Sequence, residues 1–111
     1  MSSTNHFDQP VREFLAYLQV EAGLASATLS AYASDLAAMV QGLLDRGVVA
    51  PGDVEPRHLA EHVQFLHRDR GLQPSSIARH LSTMRMFFRY LEGSGTVGAN
   101  PTAPLSTPTR W

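Results

Sequence analysis

"SSIARHLSTMRMFFRYL" occupies residues 75–91 and sets the frame for the whole chain. At about 100° per residue, Ile77, Leu81, Met84, Phe88 and Leu91 fall on one side of a helix. Arg79, Ser82, Arg85 and Arg89 fall on the other side, together with Ser75 and Ala78. No acidic residue interrupts the stretch. One face therefore seeks a core, while the other offers guanidinium groups and short hydroxyls to water, to an acidic protein segment or to a polyanion.

Three further helical patterns precede this one, separated by Gly-bearing breaks. The first runs from about Pro10 to Ala22, with Val11, Phe14, Leu15 and Leu18 at helical spacing and Asp8 or Gln9 as its start signal. The second follows a Ser26 cap and carries Leu29, Leu36, Val40 and Leu43, with Tyr32 beside the stripe, before Gly47. The third opens at Pro56, suited to a first helical turn, carries Leu59, Val63 and Leu66, and stops at Gly71. The quoted helix ends at Gly93 and Gly95. No segment alternates as a strand would, so the fold class is all-α.

Two stretches repeat weakly. "GLASATLSAY" (23–32) and "GLQPSSIARH" (71–80) align without gaps at an offset of 48, matching Gly23 to Gly71, Leu24 to Leu72, Thr28 to Ser76 and Leu29 to Ile77. Each half then reads as helix, Gly-Leu turn, helix, and a four-helix domain of two crossed helical hairpins would bury all four stripes. Chance similarity between two helix starts gives the same local pattern. The expected organisation is a flexible tail over residues 1–7, a helical domain over 8–92, and a linker over 93–111, where Pro101, Pro104 and Pro108 lie among Ser, Thr and Gly.

Composition narrows the function classes. The chain has 111 residues, one domain's worth, and no cysteine, which excludes disulfides and Cys-based metal or redox sites. Nothing in it has the length of a membrane span or the layout of a secretory signal, so a cytoplasmic protein without a membrane partner is expected. The net charge is −1 but unevenly spread: residues 1–70 hold five Arg against nine Asp or Glu, and residues 71–111 hold four Arg against Glu92 alone. That asymmetry permits one basic face on an otherwise acidic protein. Thr28 and Ser76 sit in the first turns of the second and fourth helices, where exposed amides suit either a phosphate or simple capping.

Three motifs in order carry a resemblance. Thr28, Leu29, Tyr32, Asp35 and Leu36 form Thr-Leu-x-x-Tyr-x-x-Asp-Leu. Arg79, Leu81, Ser82, Arg85, Phe87, Phe88, Tyr90 and Leu91 form a second pattern, and Asn100-Pro101 follows. Over about residues 7–105 the chain resembles the amino-terminal, SAM-like core-binding domain of tyrosine recombinases of the Xer and phage-integrase type. The resemblance implies a domain that clamps one side of double-stranded DNA, with helices two and four toward the major groove. It also implies partner recombinase subunits in the full-length protein, and neither a cofactor nor a small-molecule substrate. Arg79, Arg85 and Arg89 would then hold phosphate or base edges, and Thr28, Ser75, Ser76 and Ser82 would position the backbone.

The chain departs from that pattern in two ways. Where relatives often carry basic residues after the Tyr of helix two, Ala33 and Ser34 stand, and that helix has no cation before Arg46. Contact with about four phosphates would give a salt slope near about −3.6. The resemblance also implies that cleavage needs an Arg, Lys, His-x-x-Arg, His or Trp, and Tyr set in a following domain. The chain has no Lys, so that set is not complete in it, and the chain alone is expected to have no catalytic residue and not to be an enzyme. Tyr17, Tyr32 and Tyr90 are expected to pack in the core or at its rim.

One other motif is weighed and set aside. "HLAEH" (58–62) fits His-x-x-Glu-His, a zinc-peptidase pattern, through His58, Glu61 and His62. An exposed polar helix face accounts for it more simply, and no metal is expected. A small helical module that meets an acidic protein through its Arg face is the alternative function.

Overall fold

The computed structural model describes residues 5–105 and folds as four α-helices, with no strand among those residues. α1 spans Asp8–Val20, α2 Ser26–Asp45, α3 Pro56–Arg68 and α4 Pro74–Gly93, with a short 3-10 turn at Pro51–Asp53. Adding 48 to the bounds of α1 gives 56 and 68, those of α3; adding 48 to the bounds of α2 gives 74 and 93, those of α4. The short sequence similarity is therefore the visible part of a repeat that extends over both hairpins.

The turns repeat as well. Gly23 and Gly71 take left-handed backbone, at φ +64° and +62°. Beside them the Leu24 amide donates to the Leu18 carbonyl at 3.4 Å, and the Leu72 amide to the Leu66 carbonyl at 3.1 Å. A bond across six residues over a positive-φ glycine closes a helix while satisfying its last carbonyls, and a Cβ at the glycine would be strained.

α2 and α4 cross at the centre, and each touches both other helices; α1 and α3 flank them and do not meet among the described residues. All five apolar positions of the quoted stretch are buried to 1% exposure or less, as are Phe14, Leu36, Met39 and Leu43. Leu29 packs only at the edge of this core. Phe87 joins it fully buried, its ring 5.5 Å from Phe14 and 5.1 Å from Phe88. Each such side chain contributes about 1.5–3 kcal/mol by leaving water. No helix of the described residues is long and apolar enough to cross a membrane.

The margins differ from expectation. α1 starts two residues before Pro10, since a first turn tolerates proline. Residues 1–4 of the expected tail lie outside the described residues, but Phe7 is fully buried. The His6 amide donates to the Val49 carbonyl and the Phe7 amide to Asn5 Oδ1, so the chain is tied to the body ahead of α1. After α4, Val97, Pro101 and Thr102 are buried, and Asn100 Oδ1 accepts from both the amide and the hydroxyl of Thr102. That part of the expected linker is packed against the domain; residues 106–111 lie outside the described residues.

Candidate nucleic-acid interface

Ser75, Arg79, Ser82 and Arg89 all stand exposed along α4. Their successive spacings of four, three and seven make one stripe, and ten residues of helix separate the two guanidinium stems by about 15 Å. Thr28 and Ser76 are half-buried in the first turns of α2 and α4. Neither helix has a side-chain cap: Ala25 and Gln73 hold the N-cap positions in extended backbone, and Ser26 is the first helical residue rather than the cap. The leading amides of both helices are thus not claimed by their N-cap side chains, which suits an oxyanion.

The three arginines differ in situation. Arg79 grips Asp35 of α2 through two bonds, Nε to Oδ2 at 3.0 Å and Nη2 to Oδ1 at 2.7 Å. Asp35 is 1% exposed, so its charge needs these donors. The buried Thr83 hydroxyl donates to Asp35 Oδ2 at 2.8 Å, and His80 Nε2 lies 3.3 Å from Oδ1. The bonds that Arg79 donates to Asp35 hold its already high pKa higher still. Burial holds His80 below its usual value, with the Asp35 carboxylate opposing that effect. Arg85 was the expected equal of the other two, yet it is half-buried and donates through Nη2 to the Leu105 carbonyl at 3.1 Å. It fastens the segment after α4 to the helix, while Asp35 takes Arg79 as a partner. Arg89 is exposed and has no ion-pair partner among the described residues.

Position by position, the Asp35–Thr83 bond joins equivalent places of the repeat, because 35 plus 48 is 83. Sequence periodicity missed this hub, since Asp35, His80 and Thr83 read as polar and hence outward. The offset of 48 between Asp35 and Thr83 was the available signal.

Two open concavities are related in the same way. One, of about 540 Å³, is lined by Gln41, Gly42, Arg46, His62, Phe65 and Arg70. The other, of about 530 Å³, has Arg89, Tyr90, Ser94, Phe14, Tyr17 and other residues on its wall, mostly the equivalents of the first. Tyr17 and Tyr90 lie 5.0 Å apart there, and Tyr17 is at the rim at 45% exposure.

The His-x-x-Glu-His segment is not an exposed polar face. His58 is buried and accepts the Glu55 amide at its Nδ1, 2.9 Å away, closing the start of α3. His62 is 1% exposed, and neither ring nitrogen has a hydrogen-bond partner among the described residues. Glu61 points outward to Arg46 at 3.3 Å. Among the described residues no three side chains are grouped to hold a metal ion.

Fold and surface together define an all-α domain of two crossed hairpins with a cationic, hydroxyl-bearing face on its last helix. Residues 11–95 match the family of phage integrase N-terminal SAM-like domains, and the chain belongs to that family. It is 35% identical over 100 residues to the tyrosine recombinase XerC of Herpetosiphon aurantiacus, covering 90% of this chain and 32% of that protein. It is 39% identical over 108 residues to the XerC of Xanthomonas axonopodis pv. citri, covering 88% of this chain and 35% of the relative. The tyrosine recombinase XerD of Bifidobacterium longum is 32% identical over 105 residues, with 95% and 34% covered. The chain thus spans about a third of the length of the curated relatives it matches. No solved structure matches it significantly.

Proposed function

We propose that this chain is the DNA-clamping part of a site-specific tyrosine recombinase. It grips double-stranded DNA with α4 and the start of α2 and acts beside partner recombinase subunits. Strand cleavage and rejoining would fall to the portion of the relatives that the chain does not cover. The carrying observation is the exposed α4 stripe of Ser75, Arg79, Ser82 and Arg89 in a chain of this family. Thr28 and Ser76 would meet phosphate through the first turns of α2 and α4. Arg85 would contribute mainly by holding Leu105.

The test is an amide NMR titration with a short duplex at low and then raised salt. Salt-sensitive shifts confined to residues 26–36 and 75–90 are the expected result. Because Arg79 and Arg85 are partly engaged within the protein, the salt slope should be shallower than about −3.6. Shifts that ignore salt, or none at millimolar duplex, would remove this reading and leave an acidic protein as the partner of the Arg face.

A further inference from the structure

A guanidinium carries five N–H donors in a rigid plane. Asp35 takes two of those on Arg79, along the edge formed by Nε and Nη2. What remains is the Nη1–Nη2 end, which lies away from the carboxylate and can still offer two parallel donors. The burial is correspondingly split: the Arg79 side chain is 46% exposed, while that of Asp35 is fully buried. Asp35 is itself fixed, by the Thr83 hydroxyl on one oxygen and by His80 beside the other. The brace therefore joins α2 to α4, and the guanidinium plane follows the helix packing rather than a flexible stem.

Such a brace matters little for a phosphate, which a swinging cation can follow, and Asp35 offsets part of the charge that a phosphate would use. It matters for a base edge. Guanine presents O6 and N7 in the major groove as two acceptors in one plane, and reading them requires two donors held in that plane. A braced fork also loses less freedom when it binds. We propose that Asp35 is a positioning residue that sets Arg79 to read a guanine, while Arg89, which has no ion-pair partner among the described residues, holds phosphate. The proposal rests on the DNA-binding reading above and adds sequence preference to it. Position 31, equivalent to 79 in the repeat, is Ala31, so the preference would come from the α4 side alone.

The experiment measures binding of the chain to a GC-rich duplex and to the same duplex with 7-deazaguanine at every guanine, which removes N7 and leaves the charge unchanged. The wild type should prefer the ordinary duplex by about fivefold or more. Arg79→Lys, which keeps the charge without the fork, should bring that ratio to about one with the salt slope unchanged. Asp35→Asn should lower the ratio in the same way where melting shows it folded; where it does not fold, Arg79→Lys decides. Salt-dependent binding with equal affinity for both duplexes, or a preference that survives Arg79→Lys, overturns this inference and leaves DNA binding standing. Absence of salt-dependent binding to either duplex overturns both.

Discussion

Lowering the pH from about 7.5 to about 5 should weaken the fold by about 2 kcal/mol through His62 alone. Burial, helped by His80, Arg46 and Arg70 nearby, lowers its pKa from 6.5 to about 4. The unfolded chain takes up a proton near pH 6.5 that the folded chain refuses until about pH 4. The contribution to stability is complete above the unfolded value and is lost as pH falls between the two. At about 1.4 kcal/mol per tenfold change in proton affinity the full interval is worth about 3 kcal/mol, of which about 2 is lost by pH 5. Against a total of roughly 5–15 kcal/mol for a small domain, that is measurable in a denaturant series followed by far-UV circular dichroism. The comparison variant is His62→Phe, because the equivalent position in the other hairpin is already Phe14. The difference between their pH slopes reports the loss of His62 together with its coupling to His80. Parallel acid loss in the two proteins would refute the assignment.

Three further outcomes test the packing. A Cβ added at Gly42 would come within 2.5 Å of His62 Nδ1, so Gly42→Ala should lose about 1–2 kcal/mol despite better helix propensity. In a His62→Ala background the same change should become stabilising, and a double-mutant cycle of melting curves reads the sign. Arg85→Ala should lower stability by about 1 kcal/mol and raise hydrogen exchange at the Leu105 end, since the bond to that carbonyl disappears. Phe7→Ala should lose about 3–5 kcal/mol by denaturant unfolding, as for a buried aromatic, whereas a flexible tail residue would lose nothing.

The helices were legible because their signals are local. Proline in a first turn, a glycine forced to positive φ and an apolar stripe each act within a few residues, and Gly23 and Gly71 mark two equivalent turns. The margins were not, because composition reports what a segment tends to do when nothing holds it. The buried ring of Phe7 and the bond from Arg85 to the Leu105 carbonyl supply tertiary holds that composition does not register. His58 and His62 misled for a related reason: a polar ring reads as outward until a cap or a facing glycine makes room for it. Gly42 makes that room for His62.

The same logic explains why the candidate interface was found with its parts unevenly weighted. Helical periodicity correctly gathered Arg79, Ser82, Arg85 and Arg89 away from the apolar stripe, but it cannot say what each guanidinium holds. Asp35 stands 44 residues before Arg79, beyond the reach of any pattern along one helix, and only the crossing of α2 with α4 brings them together. A buried carboxylate at a crossing fixes the relation between two helices, and here it also fixes Arg79, which reaches from α4 to α2. The cations of α4 are therefore not three equal charges on a rod. One is braced, one ties down the following segment and one has no ion-pair partner among the described residues, so charge-preserving substitutions at the three sites should have three different consequences.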